Sequence, residues 1–335
     1  MDKNEAYQIA KRGALFIARN IKDDGKFIYG FTEDGIEMPG YNILRHCGCI
    51  WALEDVFRDV ILEDPIAAGS LKIAIDKTIK YLIEKHIWRQ FHTRIVSENS
   101  FIKVGGVALA MNTLLRYHKI FKKRKYIDIS SDLSMYIRKC TDENGYLVNH
   151  KVNMRNSQPT DFVSDYYLGQ CILAQCNLYE TKPSSIVLDN IFALFNATNI
   201  SHIHSHWLLQ AFEKLNNIPN IDKKKLIELS EEAYRQMAKV NEEFMTKPET
   251  TRPEVMGCHV EGFVSFYNMC EKKSLKKKVL RQIEKSLEFQ KKFQNLKNKT
   301  ELEKTTYGAF TNRDGKMRTD YTQHAISGYI RYSRI

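Results

Sequence analysis

The residues able to do chemistry fall in a few short clusters, most of them beside a tyrosine or tryptophan. They are Tyr41-Asn42 with Arg45-His46; Asp161 with Asp165-Tyr166-Tyr167; His202, His204 and His206-Trp207; Arg252, Glu254, Cys258-His259 and Glu261; and Arg318, Asp320-Tyr321 and Gln323-His324. Imidazoles titrate near neutral pH, so His46, His206, His259 and His324 suit proton transfer on either side of a sugar carbon. A carboxyl pair drawn from Asp165, Glu254, Glu261 and Asp320 suits cleavage of a glycosidic bond, one group acting as acid and the other as base or nucleophile. Arg45, Arg252 and Arg318 can clamp a carboxylate or phosphate by paired hydrogen bonds. Tyr41, Tyr166, Tyr167 and Trp207 offer faces for stacking. The expected catalytic set is therefore Asp165, His206, Glu254, His259, Asp320 and His324. The expected substrate-binding set is Tyr41, Asn42, Arg45, His46, Tyr166, Trp207, Arg318 and Gln323. No metal ligand and no cofactor is assigned. Structural roles compete with each assignment: Asp161, Ser201, Thr251 and Asp320 are good helix N-caps, and a buried histidine often serves only to satisfy its neighbours.

These clusters need elements to hold them, and apolar residues at helical spacing predict about twelve helices. They run roughly over 4–20, 43–60, 68–86, 103–118, 125–140, 162–180, 184–197, 203–215, 222–244, 254–271, 275–292 and 321–333. The helices pair. The first of a pair is charged, as over 222–240, and suits an outer layer; the second is apolar and small-residue-rich and suits an inner one. Inner examples are Cys47-Gly48-Cys49, Val104-Gly105-Gly106 and Leu168-Gly169-Gln170, where glycine lets neighbouring helices approach closely. Gly-aromatic segments precede three inner helices: Asp24-Gly25-Lys26-Phe27-Ile28-Tyr29, Asn144-Gly145-Tyr146-Leu147, and Tyr307-Gly308-Ala309-Phe310 with Asp314-Gly315. Glycine relieves the steric limit of a turn there. The fold class expected is all-α, an (α/α)6 toroid with inner and outer layers alternating, as one domain over 1–335. In such a ring every inner helix starts on one rim, which would gather the clusters into a single pocket.

Composition agrees with a packed helical protein. Hydrophobic residues make up 43% and charged residues 27% of the 335, with only 7 Pro and 16 Gly. The net charge is +11. The Lys122–Lys125, Lys223–Lys225 and Lys276–Lys278 runs read as solvated surface, and the surplus could attract nucleic acid, anionic lipid or an acidic small substrate; the partner expected is a sugar or glycan, with no nucleic acid. The cysteines, an odd number at 7, lack the spacing of a disulfide scaffold and imply a reducing compartment. Neither a signal-peptide core nor an apolar run near the ~20 residues of a membrane span is present, so the expected location is the cytoplasm. Phosphate loops, nucleophile elbows, dinucleotide fingerprints and zinc-finger spacings are absent from the sequence. Oligomeric state has no sequence signal.

Tyr41-Asn42-Ile43-Leu44-Arg45-His46-Cys47-Gly48 and Arg318-Thr319-Asp320-Tyr321-Thr322-Gln323-His324-Ala325, with the helix-pair periodicity, resemble bacterial proteins of the six-hairpin glycosidase-like superfamily. That superfamily includes N-acylglucosamine 2-epimerase-type enzymes, unsaturated glucuronyl hydrolases and polysaccharide-associated toroids. The resemblance implies a carbohydrate-active enzyme, hydrolase-like or epimerase-like, working on an acidic sugar or surface glycan, and it transfers no catalytic residue. Two alternatives stand beside it. One is a non-catalytic toroid whose basic surface holds an anionic partner. The other is a zinc enzyme resembling lanthionine cyclases, with Cys258-His259 and Cys47 or Cys49 as ligands, although Val260 stands where that family has glycine.

Overall fold

The computed structural model describes residues 1–90, 92–199 and 205–335; Ser201, His202 and His204 lie outside them. Thirteen α-helices occur among the described residues. They are α1 (Lys3–Arg19), α2 (Ile43–Glu63), α3 (Pro65–His86), α4 (Val104–Phe121), α5 (Lys125–Lys139), α6 (Tyr166–Thr181), α7 (Ser185–Ala197), α8 (His206–Leu215), α9 (Lys223–Thr246), α10 (Pro253–Met269), α11 (Lys273–Lys291), α12 (Glu301–Thr306) and α13 (Thr319–Ser333). Every helix expected from periodicity is present. The addition is α12, six residues closed by a Thr300/Glu303 capping box, too short to show a repeat.

Short strands are the other feature that periodicity misses. β1 (Gly30–Phe31) pairs antiparallel with β6 (Met317–Arg318), placing Gly30 opposite Arg318. β2 (Ile87–Gln90), β3 (Thr93–Glu98), β4 (Phe101–Lys103) and β5 (Lys151–Asn153) form a second antiparallel sheet in that order.

The chain falls into two compact units, Met1–Tyr81 with Met237–Ile335, and Leu82–Gln236. In the first unit α13 packs on α1, α2, α10 and α11. Its core holds Phe16, Leu53, Phe263, Phe310 and Tyr329, all fully buried, and Tyr329 satisfies its hydroxyl on the Leu287 carbonyl at 2.7 Å. In the second unit α6 packs on α4, α5, α7 and α8.

Inner and outer helices differ in how they are buried. From Tyr167 to Leu178 every residue of α6 is buried, so that helix has no solvent face. On α11 the buried positions are Val279, Ile283, Ser286, Leu287 and Gln290, one stripe, while its lysines face water. The lysine and arginine runs at 122–125 and 277–278 are exposed, as solvated surface requires.

Glycine sets the helix contacts where the sequence suggested it would. A Cβ on Gly105 would lie 2.3 Å from the Tyr167 ring, and one on Gly169 would lie 2.6 Å from the Leu208 amide. The Asp/Asn-Gly turns share one hydrogen-bond pattern. Gly25, Gly145 and Gly315 have φ of 96°, 86° and 74°, and their amides donate to Lys22, Asp142 and Asn312. In each turn the following residue's carbonyl accepts from that same anchoring residue, Lys26 to Lys22, Tyr146 to Asp142 and Lys316 to Asn312. The positive φ is what selects glycine here.

Candidate active site

In the first unit the site is built at the starts of α2 and α13. Asn42 caps α2: its side-chain oxygen accepts from the amides of Leu44 at 3.0 Å and Arg45 at 3.2 Å, fixing the first turn that carries Arg45. The β1–β6 pairing brings Tyr29 to the start of α13, where its carbonyl accepts from the Thr319 amide at 3.2 Å. The Arg45 guanidinium then sits over the Tyr29 ring, 4.8 Å from its centre, and donates to the Tyr29 hydroxyl.

Asp320 occupies the first turn of α13 and is held from both sides. Arg45 Nε donates to Oδ2 at 2.9 Å, Arg318 Nε donates to Oδ1 at 2.9 Å, and a second Arg318 N–H reaches Oδ2. Burial pushes the Asp320 carboxyl up, but the Arg318 hydrogen bond and the charges of Arg45, Arg318 and His324 outweigh it and hold it below its usual range. Arg318 is shifted the other way: burial lowers it, Asp320 more than compensates, and its pKa ends above the ordinary value. Asp320 is thus a fixed anion, suited to orienting guanidinium groups and unsuited to giving up a proton at neutral pH. It does not cap α13, whose N-cap is Arg318. Thr251 likewise donates its hydroxyl to the Phe244 and Lys247 carbonyls, and α6 starts at Tyr166 behind Asp165, with Asp161 upstream of it.

One helical turn further along α13 stands His324. Its Nδ1 lies 2.9 Å from Glu261 Oε2, and its side chain also hydrogen-bonds Cys258. Burial pulls this imidazole down, but the Cys258 sulfur and the Glu261 carboxylate prevail and raise it well above its usual value. Burial pushes the Cys258 thiol up despite the neighbouring His324. A deeply buried carboxylate, 1% exposed at Glu261, beside an imidazole that favours its charged form is an arrangement that can share a proton. Close helix approach makes the pair possible. A Cβ on Gly257 would lie 2.5 Å from the His324 carbonyl carbon, and one on Gly48 2.5 Å from the Gln323 amide oxygen.

The other expected residues of this unit take structural positions. His46 is buried between Phe27, Tyr41 and Tyr81, with Nε2 at 3.0 Å from the Thr78 carbonyl. Tyr41 belongs to that aromatic cluster, with Lys26 over its ring. His259, next to Cys258 in sequence, contacts a different set: it stacks on Phe244 at 5.8 Å, packs on Phe263 and meets Asn241 at 3.3 Å. Burial lowers His259 to about 4, so it is neutral at physiological pH. Glu254 pairs with Arg252 at 3.3 Å, and both line a cleft of about 360 Å³ with Asn312 and Arg313. A larger cleft of about 940 Å³, around Glu33, Lys292 and Asn295, contains none of the expected residues.

The second unit holds the remaining group. His206 and Trp207 open α8 behind the cap Ser205, whose hydroxyl accepts from the Trp207 amide at 3.2 Å, and both are buried. The Tyr166 ring lies 6.2 Å from the His206 ring and is half exposed. Asp165 is exposed at the α6 N-cap, near enough to His150 to bias its charge.

Two residues carry more weight in the structure than sequence reading assigned them. Tyr29 was legible only as an aromatic after a Gly turn. Glu261 was one carboxylate among four, and its partner His324 lies 63 residues away, beyond any local spacing rule.

No protein-family profile and no curated protein matches this sequence. Solved structures do. The chain is similar to cellobiose 2-epimerase from Bacillus thermoamylovorans B4167 with a TM-score of 0.74 and 14% identity, over 99% of each chain. It is similar to a D-mannose isomerase with a TM-score of 0.68 and 11% identity, over 98% of this chain and 96% of the other. A family 76 glycoside hydrolase from a bovine Bacteroides thetaiotaomicron strain gives 0.69 and 11%, over 100% of this chain and 79% of the other. The chain therefore has the fold of these solved structures, an all-α (α/α)6 toroid.

Proposed function

We propose that the chain is a carbohydrate-active enzyme of the sugar epimerase or isomerase type, moving a proton at a sugar carbon with the Glu261–His324 pair. The observation that carries this reading is the 2.9 Å contact between His324 Nδ1 and the buried Glu261 carboxylate, one turn from the arginine-clamped Asp320. An imidazole oriented by a carboxylate can take and return a proton, and the carboxylate fixes its orientation. Arg45 and Arg318 keep N–H donors beyond those bound to Asp320 and Tyr29, and these can hold sugar hydroxyls or an acidic group. The similar solved structures act on sugars by name, which supports the substrate class.

A hydrolase is the second reading, favoured by the likeness to the family 76 glycoside hydrolase. It fits the first unit less well. Asp320 is locked as an anion between two arginines and Glu261 is engaged by His324, so neither is poised as a free general acid.

The same proposal takes all 335 residues as one toroidal domain working in the cytoplasm. Among the described residues no helix is long and apolar enough to cross a membrane. The seven cysteines are free thiols, the form a reducing compartment maintains.

The test is incubation with reducing mono- and disaccharides, neutral and acidic, in D2O. Deuterium appearing at the carbon next to the carbonyl, read by NMR, supports proton transfer. New reducing ends without deuterium incorporation favour the hydrolase. Neither signal across the panel overturns the carbohydrate assignment.

A further inference from the structure

Glu254, Cys258 and Glu261 stand four and then three residues apart on α10 and so share one face of that helix. Exposure falls along it. The Arg252 side chain just ahead of the helix is 62% exposed and that of Glu254 14%, Cys258 is partly accessible, and Glu261 is 1% exposed. On α13, Tyr321 precedes His324 by three residues and shares its face. The Glu261–His324 pair thus lies at the inner end of this face, and the cleft of about 360 Å³ lined by Arg252 and Glu254 lies at its outer end. We infer that this cleft is a second sugar subsite, taking an uncharged ring linked to the one held at the Glu261–His324 pair. The inference rests on the carbohydrate reading of that pair.

Length is the first argument. From Glu254 to Glu261 the helix rises roughly 10 Å. A single pyranose ring seated on the pair does not reach the cleft, whereas two linked rings do. Tyr321 connects the two places. The Arg318 guanidinium sits 4.5 Å from its ring centre, burial raises its phenol, and Arg318, Asp320 and Glu254 are all near enough to act on it.

Donor chemistry is the second. Arg252, Arg313 and Asn312 bring N–H donors to the cleft, while Glu249, Glu254 and Asp314 bring acceptors. Two guanidinium groups against three carboxylates leave no positive surplus, so an acidic group gains nothing there. A hydroxyl, which donates and accepts at once, matches both kinds of partner. Glu254 holds the Arg252 guanidinium through Nε at 3.3 Å, one N–H of its five.

Shape is the third. Phe244 lines the cleft, and His259 stacks on its ring at 5.8 Å and 9° from parallel, which holds that ring in place. An aromatic surface of this kind packs against the C–H groups of a sugar. The volume of about 360 Å³ stands near the small end of the roughly 300–1,000 Å³ of ligand pockets and suits one ring.

The experiment is saturation-transfer NMR with titration calorimetry on the full chain, using the same reducing mono- and disaccharides, neutral and acidic; neither measurement needs turnover. At least one neutral disaccharide is expected to bind roughly 10-fold or more tightly than the reducing monosaccharide it contains, the worth of hydrogen bonds to charged groups, with protons of both rings saturated. A carboxylate on its outer ring weakens binding. Arg252→Ala and Arg313→Ala, both at exposed positions, each remove most of the gain. Lys316→Ala, exposed on the Asn312 turn and outside the cleft, keeps it. Disaccharides no tighter than their monosaccharides, an outer ring left unsaturated, tighter binding of an acidic outer ring, a gain that survives both arginine variants, or no binding by any sugar overturns the subsite. Tighter disaccharide binding without deuterium exchange leaves the subsite standing and removes the proton-transfer reading. Deuterium exchange with no preference for a second ring does the reverse.

Discussion

Gly257 touches the backbone of His324 so closely that a methyl group added to it would lie 2.5 Å from the His324 carbonyl carbon. Alanine normally improves a helix interior by roughly 0.5–1 kcal/mol over glycine. Here overpacking, roughly 1–3 kcal/mol, wins because the obstacle is backbone that cannot rotate away. Gly257→Ala is therefore expected to destabilise the chain in chemical denaturation and to lower turnover. Gly69→Ala, on α3 with nothing within 4 Å of the new methyl, is expected to be neutral or stabilising. Equal effects from the two would show that α10 and α13 have room to part.

Asp320→Asn leaves two partly buried guanidinium groups without their anion. Breaking such a pair from one side costs roughly 3 kcal/mol or more. The folded-state pKa of Asp320 is depressed, so its stabilisation is present above the unfolded value of about 3.9 and is lost as pH falls through the folded value. Denaturation of both proteins across pH should show the wild-type advantage constant near neutrality and shrinking below about pH 4. A constant gap down to strong acid would mean that Asp320 is not held by these charges.

The three histidines of the first unit separate by role. His324→Gln should lower kcat/KM on a responsive sugar by about 10²–10⁴, the usual worth of a general acid or base. His46→Gln disturbs the Thr78 contact and should cost about 1 kcal/mol of stability with turnover changed little. His259→Leu should behave like His46→Gln, because its ring faces Phe244 and Asn241. Loss of turnover in His46→Gln or His259→Leu with stability intact would move the chemistry away from His324.

Cys258 alone among the seven thiols is partly accessible. Native alkylation followed by peptide mapping should yield one slowly forming adduct, at Cys258, since burial keeps this thiol protonated. Rapid labelling at several cysteines would show that the helices around them open readily.

Much of this protein was legible in sequence because helical periodicity is local. An amphipathic stripe such as Val279, Ile283 and Leu287 declares its helix within one stretch of chain, and the small-residue segments around Gly105 and Gly169 announced close contacts that the structure contains. The Asp/Asn-Gly turns were equally local, since positive φ selects glycine at each. The short strands and α12 were not, because two to six residues hold too few repeats to show a period.

Partner choice is where sequence stopped. His259 and His324 look alike in a string of letters, each a histidine in an apolar helix. Tertiary packing sends the first to a buried place where loss of water drives it neutral, and the second to Cys258 and Glu261, which raise it despite its burial. Arg45 and Asp320, 275 residues apart, meet because α2 and α13 start side by side. The reason is physical: a helix fixes which residues share a face, whereas the charge a residue carries depends on what stands opposite, and only the packed fold decides that.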